Sequence, residues 1–406
     1  MTVFLLLLYI CGAVYATMMG AFALGFWRAR RTPTPPEPTT WPMLSVIVPA
    51  RDEAGMIAAC VESILANDYP EDRFEVIVVD DLSEDETSVI VEHLRQHVNA
   101  PSLIGAGEDI GDEVSPERLH LLRMPENLER TRAHKKRAIE KGIAYARGSV
   151  ILTTDADCVA SPTWLRTMAA MFTDLDAQPE AHGVTAFVSG PVLYRVGDRP
   201  FLHMQALEFL GLVAVGGGAI GVGRPTICNG ANVAYRKDVF EALGGFHGID
   251  HLTSGDDELL MQKIHDTTPH RVRYCAAPAA ATVTEPIYTL RAFFEQRRRW
   301  ASKGAHYPNK RLVALFVAIY GFYLGLLVGG LAWPFVPGLG VFLLGAFALK
   351  AIPEALLLWP ACRHFDRRWL FGYFLPAQLL HIPYIVLAAA GGALGRYEWK
   401  GRRVVR

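Results

Sequence analysis

The chain has 406 residues, 51% of them hydrophobic, with 40 Lys and Arg against 41 Asp and Glu. That length allows about two to three domains with full hydrophobic cores, and the charge balance argues against a nucleic-acid binder that works through a global positive field. The mean hydropathy of +0.19 is high for a soluble protein, and the excess is gathered into apolar stretches.

The first stretch, Phe4 to Trp27, carries no charge and is long enough as a helix to cross a bilayer. No basic residue precedes it, and Arg28, Arg30 and Arg31 follow. Those features favour a retained transmembrane helix over residues 1–31 rather than a cleaved signal, with the following chain cytoplasmic. Residues 32–42 are a Pro-rich linker suited to an extended spacer.

A soluble domain is expected over 43–285. Met43 to Pro49 and Phe74 to Asp81 read as buried strands, and the spacing predicts helices from Glu53 to Ala66 and from about Glu84 to His97. Ala100 to Pro116, rich in Gly, Asp and Glu, reads as an exposed insertion. A third helix over Arg132 to Ala146 then leads to the strand Ser149 to Thr154. Alternation of strand and helix predicts an α/β domain with a parallel sheet.

Further on, Ala206 to Gly223 is apolar but carries Glu208 and many glycines, a poor composition for a span and one that suits the membrane surface. Its Gly216 to Gly221 matches a dinucleotide-binding pattern in form, but Gly223 and Pro225 follow where a helix is needed, so that reading is rejected. The loop Ile227 to Asn232 precedes helical spacing over Val233 to Leu243, and a helix from about Tyr288 falls in an interfacial segment, 286–311. Leu312 to Trp333, Phe335 to Trp359 and Trp369 to Leu394 are apolar, giving C-terminal transmembrane helices over 312–395 and a basic tail over 396–406. Three full crossings would leave that tail outside, against the positive-inside rule. One segment is therefore expected to be kinked, re-entrant or interfacial, with a cytoplasmic tail.

Chemistry collects at the strand ends. The first strand ends in Ala50, Arg51, Asp52 and Glu53, the second in Asp80 and Asp81, the third in Asp155 and Asp157. Ligands of open α/β sheets bind at the carboxyl ends of parallel strands. Gathered carboxylates are costly unless a cation shares them, and two of them with phosphate oxygens suit Mg²⁺ or Mn²⁺ carrying a nucleotide diphosphate. Read singly, the same residues are ordinary turn formers.

In order along the chain stand VIVPARDEAG, VVDDLSEDET, HKKRAIEKGIAYARGSVILTTDADC, CNGANVAYRKDVFEALGGF, SGDDELLMQKI and QRRRW. Together, from about Met43 to Trp300, they resemble membrane-bound glycosyltransferases of family 2, the inverting group with the GT-A fold, in its ceramide glucosyltransferase-like and polysaccharide synthase branches. The resemblance implies that Ala50, Glu53, Asp81 and Lys135 line the nucleotide pocket and that Asp155 touches the donor. Asp157, with Asp155, would hold the metal. His134 stands where the family usually has glycine, leaving Lys136 as an alternative to Lys135. Asp257 would take the acceptor proton with Asp256 beside it. Asn229, Gly230 and Asn232 would lie near the acceptor. Gln296, Arg299 and Trp300 match a Gln-x-x-Arg-Trp motif in which the arginine neutralises the leaving diphosphate and the tryptophan borders the acceptor, while Arg297 and Arg298 would meet lipid headgroups.

The implied protein is an integral-membrane enzyme, catalytic on the cytoplasmic face of a bacterial inner membrane, moving a sugar from a nucleotide sugar, most simply a UDP-sugar, to a membrane lipid. A processive β-polysaccharide synthase and a non-catalytic scaffold with the same fold are the alternatives. The six cysteines show no zinc spacing and read as packing residues.

Overall fold

The computed structural model describes residues 1–33, 35, 38, 40–99, 117–125, 133–172, 183–250, 255–301, 310–393, 396–399 and 402–405. The insertion expected at 100–116 lies outside them. In chain order the elements are α1 (Thr2–Ala29), β1 (Leu44–Ala50), α2 (Ile57–Leu65), β2 (Phe74–Asp80), α3 (Thr87–Val98), β3 (Leu119–Arg123), α4 (His134–Tyr145), β4 (Val150–Thr153), β5 (Cys158–Ala160) and α5 (Trp164–Ala169). They continue with β6 (Thr185–Ser189), β7 (Val192–Tyr194), α6 (Pro200–Gly221), β8 (Val233–Arg236), α7 (Lys237–Ala242), α8 (Glu258–Thr267), β9 (Arg271–Tyr274) and β10 (Thr282–Thr284). The C-terminal part holds α9 (Leu290–Ala301), α10 (Lys310–Ala332), α11 (Leu339–His364), α12 (Phe374–Ala393), β11 (Arg396–Trp399) and β12 (Arg402–Val405).

Two compact units result, one of residues 29–193 and 224–285, the other of 1–28, 194–223 and 286–406. The first is built on a seven-stranded sheet in the order β3-β2-β1-β4-β8-β6-β9. Strands β3, β2, β1 and β4 run parallel, with Ala50 opposite Asp80 and Ile47 opposite Thr153, whereas β8 is antiparallel to both β4 and β6. Val46, Ile47, Val48, Val76, Ile77, Val78 and Val79 are fully buried, as continuous β-branched runs are when helices cover both faces of a sheet. Gly142 in the last turn of α4 lies so near Ile47 that a Cβ there would meet its Cγ2 at 2.8 Å, which seats the helix closely on β1.

One expected element is different. The helix read over Val233 to Leu243 is a strand through Arg236, and only Lys237–Ala242 is helical. Val233, Ala234 and Tyr235 are all buried, because β8 is a central strand covered on both faces, and such a run lacks the alternation that marks a strand in sequence.

In the second unit, Thr2–Ala29, Pro200–Gly221, Lys310–Phe335, Leu339–His364 and Arg368–Gly392 are long and apolar enough to cross a membrane. The glycine-rich α6 is a continuous helix, and its glycines serve backbone approach: a Cβ on Gly218 would stand 2.3 Å from Phe22 O, and one on Gly221 would stand 2.3 Å from Gly25 O of α1. Bonds from β6 to β8 join residues on either side of α6 within one sheet. Inside this unit Lys350 and Glu354 of α11 pair at 3.0 Å, and Glu354 also accepts from Tyr15 and Gln378 at 2.5 and 2.6 Å. Mutual pairing of this kind is what lets charge persist inside an apolar bundle.

Candidate active site

At the C-terminal edge of the parallel strands, Lys135 Nζ lies 2.7 Å from Asp155 Oδ1 and 3.1 Å from Asp256 Oδ2. One cation thus joins the Asp-Ala-Asp segment after β4 to the acidic pair before α8. Burial disfavours the charged amine, but Asp155, Asp256 and Asp257 outweigh it and hold the Lys135 pKa well above its ordinary value. Of the two neighbouring lysines, Lys135 is the one beside Asp155 and Asp256, while Lys136 is buried and donates to Ile249 O at 2.6 Å. His134 Nδ1 stands 3.6 Å from Asp81 Oδ1, so the position where glycine was expected carries a group facing the Asp81 carboxylate.

Asp257 caps α8, accepting from Glu258 N at 2.7 Å through Oδ1 and from Gly230 N at 2.7 Å through Oδ2. Each oxygen is held by one backbone N–H, which fixes the carboxylate and leaves acceptor lone pairs open. The loop 227–232 and the acidic pair are therefore one assembly. A Cβ at Gly230 would lie 3.2 Å from both Asp256 Oδ2 and Asp257 Oδ2, so a side chain there would press both carboxylates back by a few tenths of an ångström. Thr153 and Thr154 at the end of β4 secure the loop by donating to Gly230 O and Ala231 O at 3.1 and 2.9 Å. These two threonines escaped the sequence reading, their signal being only a polar pair just ahead of Asp155. Asn229 Oδ1 accepts Ala231 N at 3.0 Å.

Asn232, expected at the acceptor, is instead fully buried. It accepts from Trp164 Nε1 at 2.9 Å and donates to Pro191 O and Ala280 O at 2.8 and 2.7 Å. Its amide is spent inside the domain, where it anchors the loop.

The first two strand ends are also tied together. Ala50 is buried and its carbonyl accepts Asp81 N at 2.8 Å; Arg51 donates to Asp81 O at 2.7 Å. Glu53 N donates to Thr87 Oγ1 at 2.8 Å. Asp80 faces α3 through Ser83 and Ser88, leaving Asp81 as the member of the pair turned toward α4. Asp155 is 41% exposed at its side chain. Behind it Cys60 Sγ approaches Asp155 O at 3.6 Å, and burial, with Asp157 and Asp155 adding, pushes this thiol up, so it stays neutral. None of the six cysteines is in a disulfide, and Cys60, Cys158, Cys275 and Cys362 are buried.

Asp155 and Asp157 stand two residues apart on the turn before β5. Among the described residues no three His, Cys, Asp or Glu side chains gather to hold a metal ion. A pair without a closed cage fits a divalent cation whose remaining ligands are substrate phosphates and water, the usual state of protein-bound Mg²⁺.

Gln296, Arg299 and Trp300 lie together on α9 of the other unit. The arginine expected at lipid headgroups, Arg297, is 4% exposed. Its guanidinium pairs with Glu208 of α6 and lies 4.5 and 4.3 Å from the ring centroids of Phe293 and Trp300. Tyr384 of α12 donates to the other Glu208 oxygen at 2.7 Å. Burial opposes this charge, and Glu208 outweighs the penalty, so the Arg297 pKa is raised. The partner that draws Arg297 inward is Glu208, on a segment some ninety residues earlier in the chain. Arg298 bonds Glu295 at 2.9 Å.

A mixed sheet with carboxylates on its open edge, joined to long apolar helices, defines a GT-A glycosyltransferase fold. The chain belongs to glycosyl transferase family group 2, which matches residues 150–362, and glycosyl transferase family 2 also matches residues 45–244. It is 25% identical over 277 residues to the probable glycosyltransferase YdaM of Bacillus subtilis, covering 68% of this chain and 58% of that protein. It is 26% identical over 270 residues to the beta-monoglucosyldiacylglycerol synthase of Synechocystis, covering 65% of this chain and 48% of that protein. The chain thus spans about half the length of the curated relatives it matches. Among solved structures, the mannosyltransferase PcManGT of Pyrobaculum calidifontis, in complex with GDP-Man and Mn²⁺, aligns with a TM-score of 0.51 at 23% identity, covering 93% of this chain and 99% of that one.

Proposed function

We propose that this glycosyltransferase is an integral-membrane, metal-dependent, inverting enzyme that moves one sugar from a nucleotide sugar, in the first instance a UDP-sugar, to a membrane lipid at the cytoplasmic face. The observation that carries the reading is the Lys135 bridge from Asp155 to Asp256, with Asp257 and Gly230 alongside. It joins a donor-side carboxylate to an acceptor-side acidic pair.

In this reading Ala50, Glu53, Asp81 and His134 shape the nucleotide end, and Asp155 and Asp157 would hold Mg²⁺ or Mn²⁺, which offsets diphosphate charge when bound. Asn229, Gly230 and Asp256 border the acceptor. The acceptor hydroxyl oxygen bonds to the anomeric carbon as the bond from that carbon to the diphosphate oxygen breaks. Asp257 takes the hydroxyl proton, and the nucleoside diphosphate leaves from the opposite face with the bonding pair. Lys135 and Arg299 balance the developing negative charge, Gln296 supports the diphosphate side, and Trp300 borders the acceptor.

The lipid reading draws support from the apolar helices and from likeness to a relative named as a glucosyldiacylglycerol synthase. The cytoplasmic placement rests on Arg28 in the last turn of α1, Arg30 and Arg31 after it, and Lys310 and Arg311 at the start of α10. Asp157→Ala tests the core of the proposal. Mn²⁺-dependent donor hydrolysis is expected to vanish, and hydrolysis at the parent rate contradicts the metal assignment.

A further inference from the structure

The membrane-helix unit contains a cavity of about 420 Å³ lined by α1, α6, α9, α11 and α12. Most of its wall is apolar side chains, among them Phe201, Leu207, Phe293 and Leu357, and Gln205, Glu208, Glu354, Gln378 and His381 also line it. Along its rim Leu290, Leu380 and Leu387 are 63%, 56% and 59% exposed, while Tyr15, Glu354, Leu357 and Gln378 at its inner side are buried. Leu380 and Leu387, exposed on α12, a helix of spanning composition, mark a mouth that opens toward hydrocarbon rather than water.

The two carboxylates in the wall are paired with neighbouring side chains, and Gln205 is held by the Ile287 backbone. Glu354 accepts from Tyr15 Oη at 2.5 Å, Gln378 Nε2 at 2.6 Å and Lys350 Nζ at 3.0 Å. Glu208 accepts from Tyr384 Oη at 2.7 Å and pairs with Arg297. An apolar occupant therefore leaves no wall carboxylate unpaired, whereas a polar one would have to break these bonds. A hydrocarbon chain entering at the leucine rim ends against Glu354 and Gln378, which Lys350 holds from outside the wall and which the chain can neither displace nor hydrogen-bond.

We infer that this cavity holds one hydrocarbon chain of the lipid acceptor and that the Lys350–Glu354–Gln378 network sets the longest chain it takes. The inference rests on the lipid-acceptor reading above. Phe293 and Phe294 of the wall lie on α9, so the helix that carries Gln296, Arg299 and Trp300 also feels whether the cavity is filled.

The test uses the full-length protein in nanodiscs and diacylglycerols bearing a photoreactive diazirine at the chain terminus, in a short-chain and a long-chain form, with labelled residues mapped by mass spectrometry. Label is expected on the cavity-facing residues of α6 and α12. Ala377→Phe narrows the cavity, and shortening the accepted chain by about two methylenes lowers the ratio of long-chain to short-chain label about tenfold. Because the readout is a ratio within one sample, partial misfolding of the variant does not imitate it; Leu212→Trp, from the facing helix, is expected to move the ratio the same way. A ratio unchanged in both variants, or label confined to the outward faces of α1 and α10, overturns the inference. Cavity label with the expected ratio but no sugar on any lipid keeps the cavity and sinks the acceptor reading. Sugar on lipid without cavity label does the reverse.

Discussion

Replacing Asn232 by leucine separates an anchoring role from a ligand-contacting one. Leucine fills a similar volume but leaves the Trp164 indole N–H and the Ala280 carbonyl without the partners they have at 2.9 and 2.7 Å. Pro191 O loses the amide but keeps Thr282 N at 3.1 Å. Two orphaned buried groups cost about 1–3 kcal/mol each, and the easier burial of leucine returns about 1–2 kcal/mol, leaving a net loss of about 2.5 kcal/mol at the midpoints of those ranges. In a domain of this size that lowers Tm by about 5–10 °C. Melting followed through tryptophan fluorescence in detergent, beside initial rates over a range of acceptor, checks it. A fall in Tm with transfer by the folded fraction preserved is the expected result. An unchanged Tm with a raised acceptor KM refutes the anchoring role and returns Asn232 to the acceptor.

Two further outcomes follow from buried charge. Glu208→Gln leaves the Arg297 guanidinium buried without its counter-charge and is expected to destabilise by about 3–5 kcal/mol, whereas the double change of Arg297 to Met and Glu208 to Leu recovers most of that loss; denaturant midpoints in detergent that match the parent for the single variant contradict the pairing. Glu75 is fully buried and, although burial alone would raise its pKa, the His120 ring 3.4 Å away and hydrogen bonds from Ser45 and Arg147 bring it from 4.5 down to about 2. A carboxylate with a lowered folded pKa stabilises fully above its ordinary value and loses that contribution as pH falls toward about 2, so Glu75→Gln costs about 2–3 kcal/mol at neutral pH and flattens the acid limb of the stability curve. An acid limb as steep as the parent's excludes Glu75 as its source.

Much of the α/β domain was legible because its signals are local. The β-branched runs at β1 and β2, the helical spacing of Ile57, Cys60, Val61 and Ile64, and the acids at the strand ends all follow from residues close in sequence. The sequence also placed Asp257 at a helix N-terminus, where it is the cap of α8. What escaped depends on distant partners. Arg297 reads as one of three surface arginines until Glu208 draws it inward. Asn232 reads as a loop amide near a ligand until Trp164, Pro191 and Ala280 claim it. The glycines of α6 resemble a phosphate-binding loop, yet they exist to let two helix backbones meet. Strand β8 was hidden because a strand buried on both faces carries no period to read.

The most direct test of the central claim is incubation of the purified protein with a panel of nucleotide sugars, Mn²⁺ and total membrane lipids, followed by mass spectrometry of the aqueous and lipid phases. The account predicts that one nucleotide sugar is consumed and that one lipid class gains the mass of a single sugar. A ladder of masses or an insoluble polymer would contradict single transfer to lipid and point to a processive synthase, and absence of turnover with every donor would contradict catalysis itself.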